Sequence, residues 1–415
     1  MKILKISTGF DISYNGGIPI YVRNVSEKLV QIGNSVSVLY SNDLGLNKTY
    51  NFKQINFKSK LRPNSLKSVI NNNDIKKIEK IILKENPAII HVHMMIDLPA
   101  NVLKMFKKHA KLVISLHDYS YLCNRIVLVK SKTGKNCTNS NENIDCNDCI
   151  DKIDTLSSKY IRYASRKIRS LLDSDKFTPS SGHHEKFLQV QSSFRNADLI
   201  IAVSSQVKNI YENSGFKNKN FVVNHIGNYT AENNFRNNFV ERRFINSTDV
   251  MNFGFIGNLS KLKGASIFLK LIENSKHNFI VYGGINQEIQ EKIKTKKNVF
   301  YKGKYKHEDL PHILKDIDFG LVLPIWEDNA PQVVFELLNA GIPILGTRMG
   351  GLPDFINNSN GFLFNNDELG IKTAKNFINS NKVYDLYNRV VNKIDGTKKP
   401  EEHANELLGL YNQIL

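Results

Sequence analysis

Apolar and polar residues alternate from Lys2 to Ser7, and a loop containing Asn15, Gly16 and Gly17 follows. Ile20, Val22, Val25, Leu29 and Val30 then recur at helical spacing, Gly33 and Asn34 stop the helix, and Ser35 to Tyr40 alternates again. This strand, helix, strand unit is the kind that builds parallel sheets. It returns at Ala88 to His93 and Leu112 to His117, around a Val102 to Ala110 helix, and at Leu199 to Val203 and Phe221 to Ile226. Residues 229–250 are rich in asparagine and arginine without apolar periodicity and predict a linker. A second series begins at Asn252 to Ile256 and continues through Asn278 to Tyr282, Val299 to Tyr301, Phe319 to Leu323 and Ile342 to Leu345. The pattern predicts two doubly wound α/β domains, 1–228 and 251–398, facing a central cleft, with a final amphipathic helix at 399–415. Ala404, Leu407, Leu408 and Tyr411 mark that helix's apolar side.

Composition agrees with two domains, since 415 residues with 41% apolar content exceed what one core holds. No apolar run reaches the ~18 residues of a membrane span, and the opening MKILKISTGF lacks the features of an export signal. The expectation is a cytoplasmic protein. Lys and Arg number 57 against 39 Asp and Glu, a formal charge of +18. That excess points to a polyanionic partner, nucleic acid or anionic lipid, unless it is the background of a chain rich in Lys and Asn. Basic residues are dense in the N-terminal half, among them Lys53, Lys58, Lys60, Arg62, Lys104, Lys107, Lys111, Arg162 and Arg166.

The most informative stretch is PIWEDNAPQVVFELLNAG, Pro324 to Gly341, followed by IPILGTRMGGLPDFI and NGFLF. Upstream stand FIGNLSKLKG at 255–264, GGI at 16–18, HVH at 91–93, LHDYSYLC at 116–123 and ADLIIAVS at 197–204. In this order the motifs resemble retaining glycosyltransferase family 4, the group 1 glycosyl transferases. The resemblance implies a GT-B fold, two Rossmann-like domains around a cleft, the second binding a nucleotide-diphosphate sugar. It places the family's two acidic residues, eight positions apart, on Asp328 and Glu336. Asp328 would then hold hydroxyls of the donor sugar and Glu336 the ribose, each as a carboxylate accepting from vicinal hydroxyls. His117 falls where the family sets a histidine near the donor, and Asp118 and Tyr119 are within reach of an acceptor.

Physical reasons accompany these assignments. Asn329 and Ala330 before Pro331 allow a helix to start at Pro331, leaving amides and the positive dipole end for a diphosphate. Lys263 adds a full charge beside Gly257 and Asn258, and Gly16 and Gly17 supply amides from the opposite domain. Two positions depart from the family pattern: Asp328 stands where Glu is usual, and Asn258 where Arg is usual. The lost guanidinium leaves Lys263 and the amides to carry more of the leaving-group charge.

Cys123, Cys137, Cys146 and Cys149 lie in one 27-residue window, within an insertion spanning about 123–150. A structural four-cysteine zinc site is the expectation, with free thiols or disulfides as the other outcomes. Four protein ligands would leave no open position, so no catalytic metal is expected. His91 and His93 share a strand face without a nearby third ligand and read as structural.

The expected protein is thus a glycosyltransferase with a nucleotide sugar as donor and a glycan or lipid-linked acceptor. It would serve bacterial surface polysaccharide synthesis while bound peripherally to the inner face of the membrane through anionic lipid. Rival readings are a sugar-nucleotide epimerase on the same fold, an inactive relative, and a basic nucleic-acid-binding protein. The last lacks interleaved basic and aromatic motifs, so no nucleic-acid partner is expected.

Overall fold

The computed structural model describes residues 1–7, 17–40, 49–57, 72–94, 98, 101–123, 126–130, 133–137, 149, 179–232, 235, 238, 242–391 and 396–415. The first half runs β1 (Lys2–Ile6), α1 (Gly17–Gln31), β2 (Ser35–Tyr40), β3 (Lys53–Asn56), α2 (Asn72–Glu85), β4 (Ile89–Val92), α3 (Val102–His109), β5 (Lys111–Leu116), α4 (Pro179–Asn196), β6 (Leu199–Ala202), α5 (Ser205–Asn213) and β7 (Phe221–Val223). The second runs β8 (Asn252–Ile256), α6 (Ala265–Leu271), β9 (Asn278–Tyr282), α7 (Gln287–Lys294), β10 (Val299–Gly303), α8 (Leu310–Lys315), β11 (Phe319–Val322) and α9 (Gln332–Asn339). It continues through β12 (Ile344–Thr347), α10 (Leu352–Phe355), β13 (Gly361–Phe364), α11 (Glu368–Ile378) and α12 (Asn381–Val390), after which comes α13 (Pro400–Ile414).

Each half carries one sheet, ordered β3-β2-β1-β4-β5-β6-β7 and β10-β9-β8-β11-β12-β13. Every named strand pair is parallel. The order reverses between β1 and β4 and again between β8 and β11, the points at which doubly wound sheets bind ligands. Strands β4, β6, β11 and β12 are buried at every residue. Burial on both faces is why they read as continuous apolar runs and not as alternations. Two strands were not anticipated: β3, whose KQIN holds one apolar residue, and β13.

The last helix belongs to the first half. Ala404, Leu407 and Tyr411 of α13 are fully buried in the core that also holds Val22, Val25 and Leu29 of α1. Two hydrogen bonds add direction to that apolar contact: Tyr21 hydroxyl with His403 Nε2 at 2.7 Å, and Tyr411 hydroxyl with His91 Nδ1 at 2.6 Å. The chain therefore crosses between halves twice, and the two passages touch. A Cβ on Gly227 would lie 2.6 Å from the Lys399 carbonyl oxygen, so only glycine fits there.

The asparagine-rich segment expected as a linker, 229–250, is anchored where it is described. Tyr229–Ala231 form a short 3₁₀ turn with Thr230 and Ala231 buried, and Thr230 Oγ1 accepts from Asn339 Nδ2 at 2.8 Å. Arg242 donates to the carbonyls of Ile317 and Leu314, both at 2.6 Å. These side-chain bonds to distant residues do not register as periodicity, so the sequence reads as loose. Among the described residues no helix is long and apolar enough to cross a membrane.

Because Leu407 fills the interface between α13 and the first core, Leu407→Ala is expected to lower stability by about 2–5 kcal/mol, the cost of a buried leucine truncation. Urea denaturation followed by circular dichroism checks this; a midpoint unchanged from the parent would mean α13 contributes nothing to that core.

Candidate active site

A cavity of about 930 Å³ separates the two halves, walled by α1 on one side and by segments following β8, β10 and β11 on the other. Gly17, the first residue of α1, lies so near α9 that an added Cβ would sit 3.6 Å from Gln332 Cγ. Two helix starts therefore meet in one cavity. Helix α9 has no side-chain cap, and its first amides are left for whatever enters. The helix begins at Gln332, one residue later than expected, because Pro331 keeps an extended backbone at φ −62°, ψ 126°.

The loop before α9 is fixed from behind. Asp328 N donates to Trp326 O at 2.8 Å, and Asp328 O accepts from Gly351 N at 2.7 Å. Gly350 has φ +55°, and a Cβ there would fall 1.9 Å from that same Asp328 oxygen. The glycine pair of TRMGGLPDF thus exists to let this turn close on the loop. Glu327 points away from the cavity, accepting from Gly350 N at 3.0 Å and Gln206 Nε2 at 3.3 Å. Asp328 is the acid that lines the cavity.

Opposite stands Lys263, whose Nζ lies 2.5 Å from Asp328 Oδ2 and over the Trp326 ring. Its place is set by Gly264, which starts α6 in the left-handed region at φ +85° and packs on the Leu323 carbonyl. One turn into α9, Glu336 is buried with no hydrogen bond or ion pair among the described residues, and burial pushes its carboxyl up to about 7. Of the expected residues, Gly17, Gly257, Asn258, Lys263, Asp328, Pro331 and Glu336 line this cavity. Gly16 lies outside the described residues.

His117, Asn329 and Ala330 are not among the residues lining this cavity; they lie beside it at the seam. Asn329 Nδ2 donates to the His117 carbonyl at 2.5 Å, joining the halves, and Ala330 packs on the first core. His117 Nε2 meets His93 Nδ1 at 3.1 Å. Burial, with the Lys5 amine second, holds its imidazole down to about 3, so the ring is neutral near pH 7. A buried ring N–H without an acceptor costs more than a bare lone pair, and His93 Nε2 is buried without a partner. His93 therefore donates from Nδ1, and His117 keeps its proton on Nδ1. His91 uses both nitrogens, on Tyr411 and on Ser115 Oγ at 2.7 Å, which makes it structural.

Tyr119 corrects an expectation. It is fully buried, with its ring stacked at 6.1 Å from Tyr211, because the chain after His117 turns inward and Cys123 N donates to the Tyr119 carbonyl at 2.7 Å. It cannot touch an acceptor in this arrangement. Asp118 also turns inward, its Oδ1 accepting from Ser120 N at 2.9 Å and its carbonyl from Tyr211. Cys123, Cys137 and Cys149 are each partly buried, and Cys146 lies outside the described residues. Among the described residues no three His, Cys, Asp or Glu side chains converge as a metal site requires.

Some cavity residues had no warning in the sequence. Arg23, Asn24 and Glu27 form the polar face of α1, which reads as solvent-facing but faces the cavity. Tyr305 and His307, at the far end, sit among lysines in a stretch without periodicity.

Two facing doubly wound sheets with the ligand cavity at their seam define a GT-B protein, and solved structures share this fold over its whole length. Sucrose-phosphate synthase from Thermosynechococcus elongatus is similar with a TM-score of 0.64 at 14% identity, covering 100% of this chain and 98% of that one. HepE from Anabaena, solved with UDP, gives 0.64 at 13% identity, and the lipopolysaccharide outer core galactosyltransferase WaaB 0.62 at 14%, each covering 100% of both chains. Residues 15–149 match the family model Glycosyltransferase Family 4, and residues 251–378 match Glycosyl transferases group 1. The chain belongs to this glycosyltransferase family. No curated protein matches its sequence.

The histidines beneath the seam make acid stability testable. Burial holds His91, His93 and His403 well below the usual imidazole value. Below pH 6.5 the unfolded chain takes up protons that the folded chain refuses, so their contribution is present above pH 6.5 and is lost as pH falls. Each such histidine costs on the order of 1 kcal/mol at pH 5.5 relative to pH 7.5 and above. His403→Gln, which keeps a hydrogen-bonding partner for Tyr21, is expected to remove about that much of the loss in urea titrations at the two pH values. An identical loss in both proteins would show that His403 is protonated in the folded state.

Proposed function

We propose that the protein is a retaining glycosyltransferase that takes a sugar from a nucleoside-diphosphate donor and passes it to a glycan or lipid-linked acceptor. The reading includes a place in bacterial surface polysaccharide synthesis, on the cytoplasmic side of a membrane and attached peripherally. One observation carries the donor part: the start of α1, the uncapped start of α9 and Lys263 converge on one cavity that also holds Asp328 and Glu336. Such a set attracts a diphosphate and accepts hydrogen bonds from sugar hydroxyls at either end of it. The volume falls within the ~300–1,000 Å³ of small-molecule sites. Anabaena HepE has been solved with UDP and with UDP-glucose, and WaaB is a lipopolysaccharide galactosyltransferase, which supports a nucleotide-sugar donor and a surface-glycan setting.

In this reading the diphosphate lies between the two helix starts, and Lys263 exchanges part of its contact with Asp328 for the phosphate oxygens. The positive ends are fixed before the bond breaks, so they stabilise the leaving charge without reorganising. Asp328, held by Gly350 and Gly351, orients the sugar, and Glu336 orients the ribose. His117, neutral and protonated on Nδ1, has one N–H to offer a donor oxygen. The acceptor oxygen attacks from the face the diphosphate leaves, and a phosphate oxygen takes its proton.

A screen of UDP-, GDP- and ADP-sugars by thermal stabilisation and by turnover tests the reading. Lys263→Ala is expected to lower turnover by about 10²–10³-fold with the melting curve intact, and Glu336→Ala to weaken donor binding. Near-parental activity in both variants would sink the donor-site assignment. Glu336 also sets a pH dependence. Its carboxylate form is populated only above about pH 7, so affinity for the nucleoside diphosphate is highest there. Below pH 7 it declines by up to about tenfold per pH unit. Calorimetric titrations at pH 6, 7 and 8 should show this slope in the parent and none in Glu336→Gln.

A further inference from the structure

The positive charge of the second half is concentrated on one edge. Residues 294–306, KTKKNVFYKGKYK, hold six lysines and no acid. Lys294, Lys296, Lys297, Lys302, Lys304 and Lys306 are all exposed, and among the described residues none of them forms an ion pair. Some basic residues of the first half are paired instead: Lys53 closes on Glu85 at 2.5 Å, and Lys107 and Lys111 close on Asp198 at 2.7 and 3.8 Å. Lys58, Lys60, Arg62, Arg162 and Arg166 lie outside the described residues.

One of the lysines, Lys302, lies in β10 and the others flank it; β10 is the outermost strand of the second sheet, and among the described residues its free side pairs with no other strand. Successive strand residues point to opposite faces, yet Phe300 is 43% and Tyr301 38% exposed, so neither face of this edge is covered. A register shift between Tyr301 and Gly303 interrupts the ladder, with Gly303 at φ +79°. Lysines and a bulge are both devices that keep another strand from adding to an edge. They account for a protected edge; they do not call for two bare aromatic rings between clusters of uncompensated charge.

We propose that this edge docks the protein on an anionic lipid surface, with Phe300 and Tyr301 at the headgroup level and the six lysines against the phosphates. The proposal rests on the functional reading above for its purpose, bringing the cavity to a lipid-linked acceptor. Its chemistry favours a lipid surface over other polyanions. Lysine is a hydrated point charge on a long apolar stem, suited to a fluid array of headgroups; planar, bidentate reading of a nucleic-acid backbone favours arginine, and the strip has none. Aromatic rings of this kind settle at the interface between water and hydrocarbon. The strip ends at Tyr305 and His307, which line the cavity, so docking here sets the nucleotide end of the seam beside the leaflet.

The test is sedimentation of the full chain with vesicles of phosphatidylcholine alone or with 30% phosphatidylserine, at low and high salt. The parent should bind only the anionic vesicles and be released as salt rises. Each lysine near such a surface is worth about fivefold in partitioning. The quadruple variant Lys296→Gln, Lys297→Gln, Lys302→Gln, Lys304→Gln should therefore lose at least a hundredfold, and Phe300→Ser with Tyr301→Ser should weaken binding at every salt concentration. Lys104→Gln with Lys108→Gln, equal in kind but on the first half, should change it little. Equal loss in that control, binding to neutral vesicles, absence of binding by the parent, or tighter capture by polyuridylate or polyglutamate than by vesicles would each overturn the proposal. Calorimetric binding of UDP-sugars without vesicles separates the two readings, since a failed docking edge leaves it intact and a failed donor site abolishes it. Unchanged melting curves exclude misfolding as the cause of any loss.

Discussion

Helix α13 lies across α1, and most of the molecule's geometry depends on that contact. The chain builds its first sheet, leaves to build a second, and returns over a crossing that Gly227 makes possible to lay Ala404, Leu407 and Tyr411 on the first core. On its buried side α1 is held by β-strand residues and by the Tyr21–His403 bond; on the other it presents Arg23, Asn24 and Glu27 to the cavity. The helix whose start faces the cavity is thus clamped by residues nearly four hundred positions away. The second half reaches the same cavity through a loop pinned by Gly350 and Gly351, so both helix starts are fixed by glycine-dependent close packing.

The two sides of the seam keep opposite electrostatic habits. Beneath it, Lys5, His91, His93 and His403 are buried and held toward their neutral forms, so the α1, α13 and β4 interface stays free of unpaired charge. Within the cavity, charge is retained and left partly uncompensated, by Lys263, by two helix ends and by Glu336 close to its titration point. His117 stands where these regimes meet, neutral like the residues behind it yet joined through Asn329 to the loop that forms the cavity wall.

Much of the fold was legible: β1 and β2 from alternation, and β4 to β12 from short apolar runs, most of them buried. The exceptions have physical causes. Strand β3 is an edge strand with little to bury, and β13 follows directly on a turn. The sequence also treated α13 as an appendage, since an amphipathic stripe says that a face is buried but not against what. At the site, motif order singled out the acidic pair, Lys263, Gly17 and Gly257, which the fold brings to one cavity. Tyr119 was misplaced because position in a loop does not tell whether a ring faces out or in. Arg23 and its neighbours were missed because a polar helix face looks the same toward water and toward a polar cavity.

The return of α13 has a consequence for synthesis. Translation delivers the first half's strands early, yet residues 400–414, which seal their α1 face, come off the ribosome after the entire second half. Until then the apolar seat of Leu407 and Tyr411 on α1 and β4 stays open to water and to chaperones. A nascent chain can complete the second sheet's core while the first remains unfinished, so the half made first is the last to mature.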